Sequence, residues 1–168
     1  DKAIINRNGF NNLGMAQAIK KLKNYRKKFP VGSDFILGVN IGQNKDSNDR
    51  FNDYEILSKN LSEFADYLTI NISSPNTPNL RDFHQTNNLK KVLISVKNGI
   101  AKSKSLYFKL PIFLKIAPDI SENDLKRLKN KHKKELDISA EDLLLIKDFL
   151  KNFENKWKYF VFYYDNFL

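Results

Sequence analysis

Short apolar runs, each closing on a polar residue, alternate along this chain with amphipathic stretches of helical length. That alternation restricts the fold more than any other feature. The runs predict strands at 3–6, 35–40, 67–72 and 112–116. Between them, apolar residues recur at helical spacing in 14–29 (Ile19, Leu22, Tyr25, Phe29), 52–64 (Tyr54, Leu57, Leu61, Phe64) and 87–101 (Leu89, Val92, Val96, Ile100). Strands that alternate with helices of this length imply βαβ units and a parallel sheet. The opening residues DKAIINR already have strand character, so the chain is expected to begin inside a fold.

The strand ends carry the chemistry. The first closes on Asn6, the second on Asn40 and the third on Asn71, and the fourth has Lys115 near its end, at intervals of 34, 31 and 44 residues. Polar groups placed repeatedly at the carboxyl ends of parallel strands are how α/β folds build a site. Any one of these asparagines could equally cap a helix or serve a turn. Four polar residues at corresponding strand ends, three asparagines and a lysine, point instead to a polar floor facing a ligand. The third end is the densest, since LTINISSPNTPNLR passes from a buried strand into a cluster of amides and hydroxyls larger than a surface turn needs. Lys115 lies within IFLKI, where an unpaired ammonium would be costly to bury, so a partner or ligand is expected for it.

Composition removes several function classes. There is no cysteine, and the two histidines, His84 and His132, lie far apart, so neither a thiolate site nor a His-rich metal centre is expected. No apolar run is long enough to span a membrane as a helix, and no signal peptide opens the chain. The net charge of +10 raises the question of nucleic acid. However, arginine, the preferred fork for phosphate and base edges, supplies only five of the 29 basic residues. The densest basic run, KKLKNYRKK, has the spacing of a solvated helix with one buried stripe. No nucleic-acid partner is expected.

Four segments carry a resemblance to a known family. INRNGFNNLG, GVNIGQNK, DYLTINISSPNTPNLR and FLKIAPD are similar, in order and spacing, to dihydroorotate dehydrogenases of the second, quinone-reducing class. The match covers about residues 1–125. It implies an α/β fold, part of a TIM-type (β/α)8 barrel with parallel strands. FMN would lie across the carboxyl-terminal mouth, dihydroorotate would be oxidised to orotate, and quinone would be the acceptor.

The resemblance also implies roles. Ser74 matches the catalytic base, where the related class uses cysteine. Asn6, Arg7, Asn8, Gly9, Phe10, Asn71 and Asn76 match substrate contacts, and Asn40, Asn71 and Lys115 match FMN contacts. A carboxamide offers a donor and an acceptor on one plane, which suits the alternating edge of a pyrimidine. A cation beside the flavin would stabilise the negative charge arriving with a hydride. A serine hydroxyl is a poor base alone, and Thr77 is close enough in sequence to serve as a relay through water. A plainer role, a serine capping the loop, fits neighbouring Ser73 better.

Departures from the family pattern set further expectations. Asn79 stands where glycine is usual, at a turn that asparagine tolerates. Residues 1–125 are expected to form a partial barrel and 126–168 a divergent tail, with a helix from Ser139 behind the capping-box signal SAED and then the aromatic run WKYFVFYYDNFL. The tail has no glycine, so it offers no glycine-rich cradle for the FMN phosphate. An open half-sheet needs covering, and the expected covers are the tail, a second copy of the chain or a complementary barrel fragment. The family's amphipathic amino-terminal helices, which reach membrane quinone, are not among these residues, so a cytoplasmic or peripheral location is expected. The alternative function is an inactive truncated remnant, or a split fragment that cannot hold FMN alone, and the 168-residue chain is expected to purify colourless.

Overall fold

A computed structural model of the chain describes residues 11–74, 86–105, 110–116, 123 and, for the backbone, 160–163. The expected strand at 3–6 and the expected helix from Ser139 lie outside these residues. The elements run α1 (Met15–Lys28), β1 (Gly38–Ile41), α2 (Arg50–Leu61), a 3-10 turn (Ser62–Phe64), β2 (Tyr67–Asn71), α3 (Thr86–Ala101), β3 (Ile112–Lys115) and β4 (Phe160–Tyr163). The sheet order is β1-β2-β3-β4. β1, β2 and β3 are parallel, and β4, from the aromatic tail, pairs antiparallel on the free edge of β3. The tail thus supplies a strand, where sequence patterning suggested only a helix and an aromatic run.

Register divides the sheet into two faces. Leu68 pairs with Val39 and Ile112, and Ile70 with Ile41 and Leu114. Side chains alternate along a strand, so these apolar residues share one face. That face meets Tyr54 and Leu61 of α2 and Leu89, Val92 and Val96 of α3 in one buried cluster. The expected apolar stripes of α2 and α3 are therefore the core. α2 and α3 also approach closely at Gly99, where an added Cβ would run into the Ser58 hydroxyl and the Glu55 carbonyl.

The other face carries Gly38 beside Tyr67, Asn40 beside Thr69 and Phe113, and Asn71 beside Lys115. The Tyr67 ring fills the space above Gly38 and meets Phe113 edge-on, with ring centres 4.9 Å apart. Asn40 therefore sits a layer below the Asn71–Lys115 pair. The polar strand ends are staggered, not level.

α1 differs from its expected form in one respect. Its lysines are exposed, and its apolar stripe is only half-buried. Arg26, however, turns inward, with its side chain 8% exposed and an Nη2 atom 2.7 Å from Asp66 Oδ2. Its Nε also donates to the Phe64 carbonyl at 2.7 Å. Asp66, just before β2, accepts from the backbone N–H groups of Gly32 and Leu37 as well. Burial alone would raise its pKa, but the Arg26 hydrogen bond, these two N–H groups and the guanidinium charge together hold it below the ordinary carboxylate value. This network ties α1, the loop after it and β2 together at the amino ends of the strands, away from the polar carboxyl ends. It also explains why β1 begins at Gly38 rather than at residue 35. The Leu37 N–H is spent on Asp66, and Phe35 and Ile36 lie exposed before the ladder starts.

Candidate active site

The carboxyl ends of β1, β2 and β3 face the same way, so the groups that follow them gather on one side of the sheet. β2 ends on Asn71, which is 3% exposed, and Ser73 two residues on is 6% exposed. The Ser73 backbone N–H donates to Asn71 Oδ1 at 3.0 Å, and the Ser73 hydroxyl donates to the same oxygen at 2.8 Å. From the adjacent strand, Lys115 Nζ donates to Ser73 Oγ at 2.9 Å. A lysine, a serine and an asparagine are thereby joined across two strands. Ser74 follows, half-buried.

The backbone beneath this corner is held from α2. Asp49 caps the helix by accepting from the N–H groups of Phe51 and Asn52, both at 3.1 Å, which moves the helix start to Arg50 from the expected residue 52. The capped helix aims two successive side chains at the strand ends. Asp53 Oδ2 accepts from the Asn44 N–H at 2.8 Å, fixing the loop after β1. Tyr54, fully buried, donates to the Asn71 carbonyl at 3.2 Å, and the Gln43 N–H bonds its phenol oxygen. Burial pushes the Tyr54 phenol well above its usual value, so it stays protonated and remains a donor.

Asn71 and Lys115, expected to contact ligand, thus meet at neighbouring positions. Asn40 is exposed and one layer lower, beside a cleft of about 840 Å³ between α1 and α2 that Asn12, Gln17, Lys21, Asn40 and Lys45 help to line. That cleft does not reach Asn71, Ser73 or Lys115. Asn6, Arg7, Asn8, Gly9, Phe10, Asn76 and Thr77 lie outside the described residues. Ser73, which fitted a loop-capping role in the sequence, joins Lys115 to Asn71. Its position two residues beyond Asn71 was the available signal, since an asparagine side chain reaches the backbone N–H two residues on. Among the described residues no three metal-ligating side chains cluster, and no helix is long and apolar enough to cross a membrane.

Comparison with known proteins places this geometry in context. The family model described as dihydroorotate dehydrogenase matches residues 1–142. Among curated relatives, the dihydroorotate dehydrogenase (quinone) of Chelativorans sp. (strain BNC1) is 49% identical over 126 residues, covering 74% of this chain and 33% of that protein. The mitochondrial dihydroorotate dehydrogenase (quinone) of Cyclocybe aegerita is 44% identical over 126 residues, covering 74% of this chain and 37% of that protein. The chain spans about a third of the length of such relatives. Among solved structures, ligand-free DHODH from Eimeria tenella aligns with a TM-score of 0.66 at 28% identity, covering 76% of this chain and 40% of that one. The complex of that enzyme with ferulenol aligns with a TM-score of 0.63 at 29% identity, covering 76% and 39%. The three parallel strands and their helices are thus part of the wall of a (β/α) barrel.

Proposed function

The chain belongs to the dihydroorotate dehydrogenase family, and from that premise we propose that its polar corner forms part of an FMN-dependent site oxidising dihydroorotate to orotate in pyrimidine synthesis. The observation that carries this reading is the Lys115–Ser73–Asn71 chain at the carboxyl ends of adjacent parallel strands. Its chemistry fits the cofactor: an ammonium and a carboxamide beside one another suit the carbonyl-rich pyrimidine edge of a flavin. Lys115, Asn71 and Asn40 are the proposed FMN contacts.

When bound, FMN supplies the acceptor for two electrons. Residues of this chain share the remaining work. Oxidation removes a proton from ring C5 and a hydride from ring C6 and leaves a C5–C6 double bond. Ser74 takes the C5 proton and passes it on through water, with Thr77 as its relay. Asn71 and Asn76, with Asn6, Arg7, Asn8, Gly9 and Phe10, hold the substrate ring. The Lys115 ammonium opposes the negative charge that accumulates beside it. Quinone, in the names of the relatives, is the proposed final acceptor. We place the protein at the periphery of the membrane that holds it. Because this segment answers to about a third of such relatives, the complete site is assigned to the segment together with the rest of a barrel. That remainder comes from the same polypeptide, a second copy or a complementary fragment.

Anaerobic mixing of FMN-loaded protein with dihydroorotate tests the reading. Flavin absorbance should bleach in step with orotate formation, and Ser74→Ala should slow bleaching by several orders of magnitude while FMN stays bound. Full-speed bleaching in Ser74→Ala would remove Ser74 from the mechanism.

A further inference from the structure

We infer that Ser73 is a positioning residue that fixes the polarity of this corner, so that Asn71 and Lys115 offer only N–H donors to a ligand. The direction of every bond follows from chemistry. The Ser73 backbone N–H can only donate, so the Asn71 atom 3.0 Å away is the carboxamide oxygen. An ammonium can only donate, so Ser73 Oγ accepts from Lys115 at 2.9 Å. The serine hydrogen then goes to Asn71 Oδ1 at 2.8 Å. The carboxamide oxygen is thus engaged twice, and the Nδ2 hydrogens are what Asn71 can present. Among the described residues, Lys115 keeps two of its three N–H groups and no carboxylate pairs with it.

The ligand edge that meets this corner must therefore consist of acceptors: carbonyl oxygens, a carboxylate or a deprotonated ring nitrogen. A donor edge would meet only donors. Ser73 acts without touching the ligand, by holding the lysine head against β2 and preventing the carboxamide from flipping. Identifying that ligand as FMN rests on the function proposed above; the polarity of the corner does not.

The experiment separates the two. In isotope-labelled 168-residue chain, NMR follows the Lys115 ammonium and the Asn71 side-chain amide, and FMN is then titrated by flavin fluorescence. In Ser73→Ala the ammonium signal should broaden through exchange with water and the Asn71 amide pair should shift. FMN affinity should fall about tenfold, the order expected for a lost bond to a charged group. Ser73→Thr keeps the hydroxyl and should restore both. If Ser73→Ala does not fold, Ser73→Cys replaces it, with the same signals moving in the same direction. Unchanged signals in the alanine variant, or equal loss of affinity in the alanine and threonine variants, would overturn the role of Ser73. Should the unmodified chain bind no FMN, the flavin reading passes to the completed barrel, and the two NMR signals alone decide for or against Ser73.

Discussion

The phenol of Tyr54 donates to the backbone carbonyl of Asn71 at 3.2 Å, so α2 holds the end of β2 at the residue whose side chain faces Lys115. Tyr54→Phe removes one oxygen and leaves that buried carbonyl and the Gln43 N–H without it. Unfolding in urea should show a loss of about 1–2 kcal/mol, the usual cost of orphaning buried polar groups. An unchanged midpoint would mean that water replaces the phenol.

Asp66 gives the chain a predictable acid response. Its pKa is lowered in the folded protein, so its contribution is complete above the unfolded value near 3.9. The contribution is lost as pH falls from there through the lower folded value. Asp66→Asn should therefore destabilise the chain at neutral pH and flatten the stability profile below about pH 4. Arg26→Ala, which strands a nearly buried carboxylate, should cost about 3 kcal/mol by thermal or denaturant unfolding. Parallel acid profiles for Asp66→Asn and the unmodified chain would contradict the assignment.

Gly99→Ala opposes two effects. Alanine favours a helix over glycine by about 1 kcal/mol. However, its methyl would meet the Glu55 carbonyl and the Ser58 hydroxyl across the α2–α3 contact. Backbone cannot yield as a flexible side chain does, so overpacking should win, with net destabilisation of about 1–3 kcal/mol in a melting experiment. A stabilised variant would show that the helices can separate at little cost.

Much of this was legible from patterning alone. Period-two alternation through Leu68 and Ile70, and helical spacing through Leu89, Val92 and Val96, identify residues that the core contains. Asn71 and Lys115 were legible as polar residues closing apolar strands, and parallel pairing sets them side by side. What escaped depends on distance. Arg26 and Asp66 are 40 residues apart, and nothing in KKLKNYRKK marks one base for burial. Ser73 escaped for a different reason. Its spacing from Asn71 marks it for the carboxamide, but only the placement of β3 beside β2 shows that it also receives the lysine. Residue 35 was placed in a strand because Phe35 and Ile36 are apolar, whereas the carboxylate of Asp66 takes the N–H that would extend the ladder.

The central claim is that Lys115 and Asn71 form a flavin-binding corner, and a fluorescence titration of the 168-residue chain with FMN tests it most directly. The account predicts weak, saturable binding at one FMN per site. Lys115→Ala should weaken it at least about tenfold, the value of one charge-assisted bond, while the melting temperature stays close to that of the unmodified chain. Superimposable titrations for Lys115→Ala and the unmodified chain would contradict it.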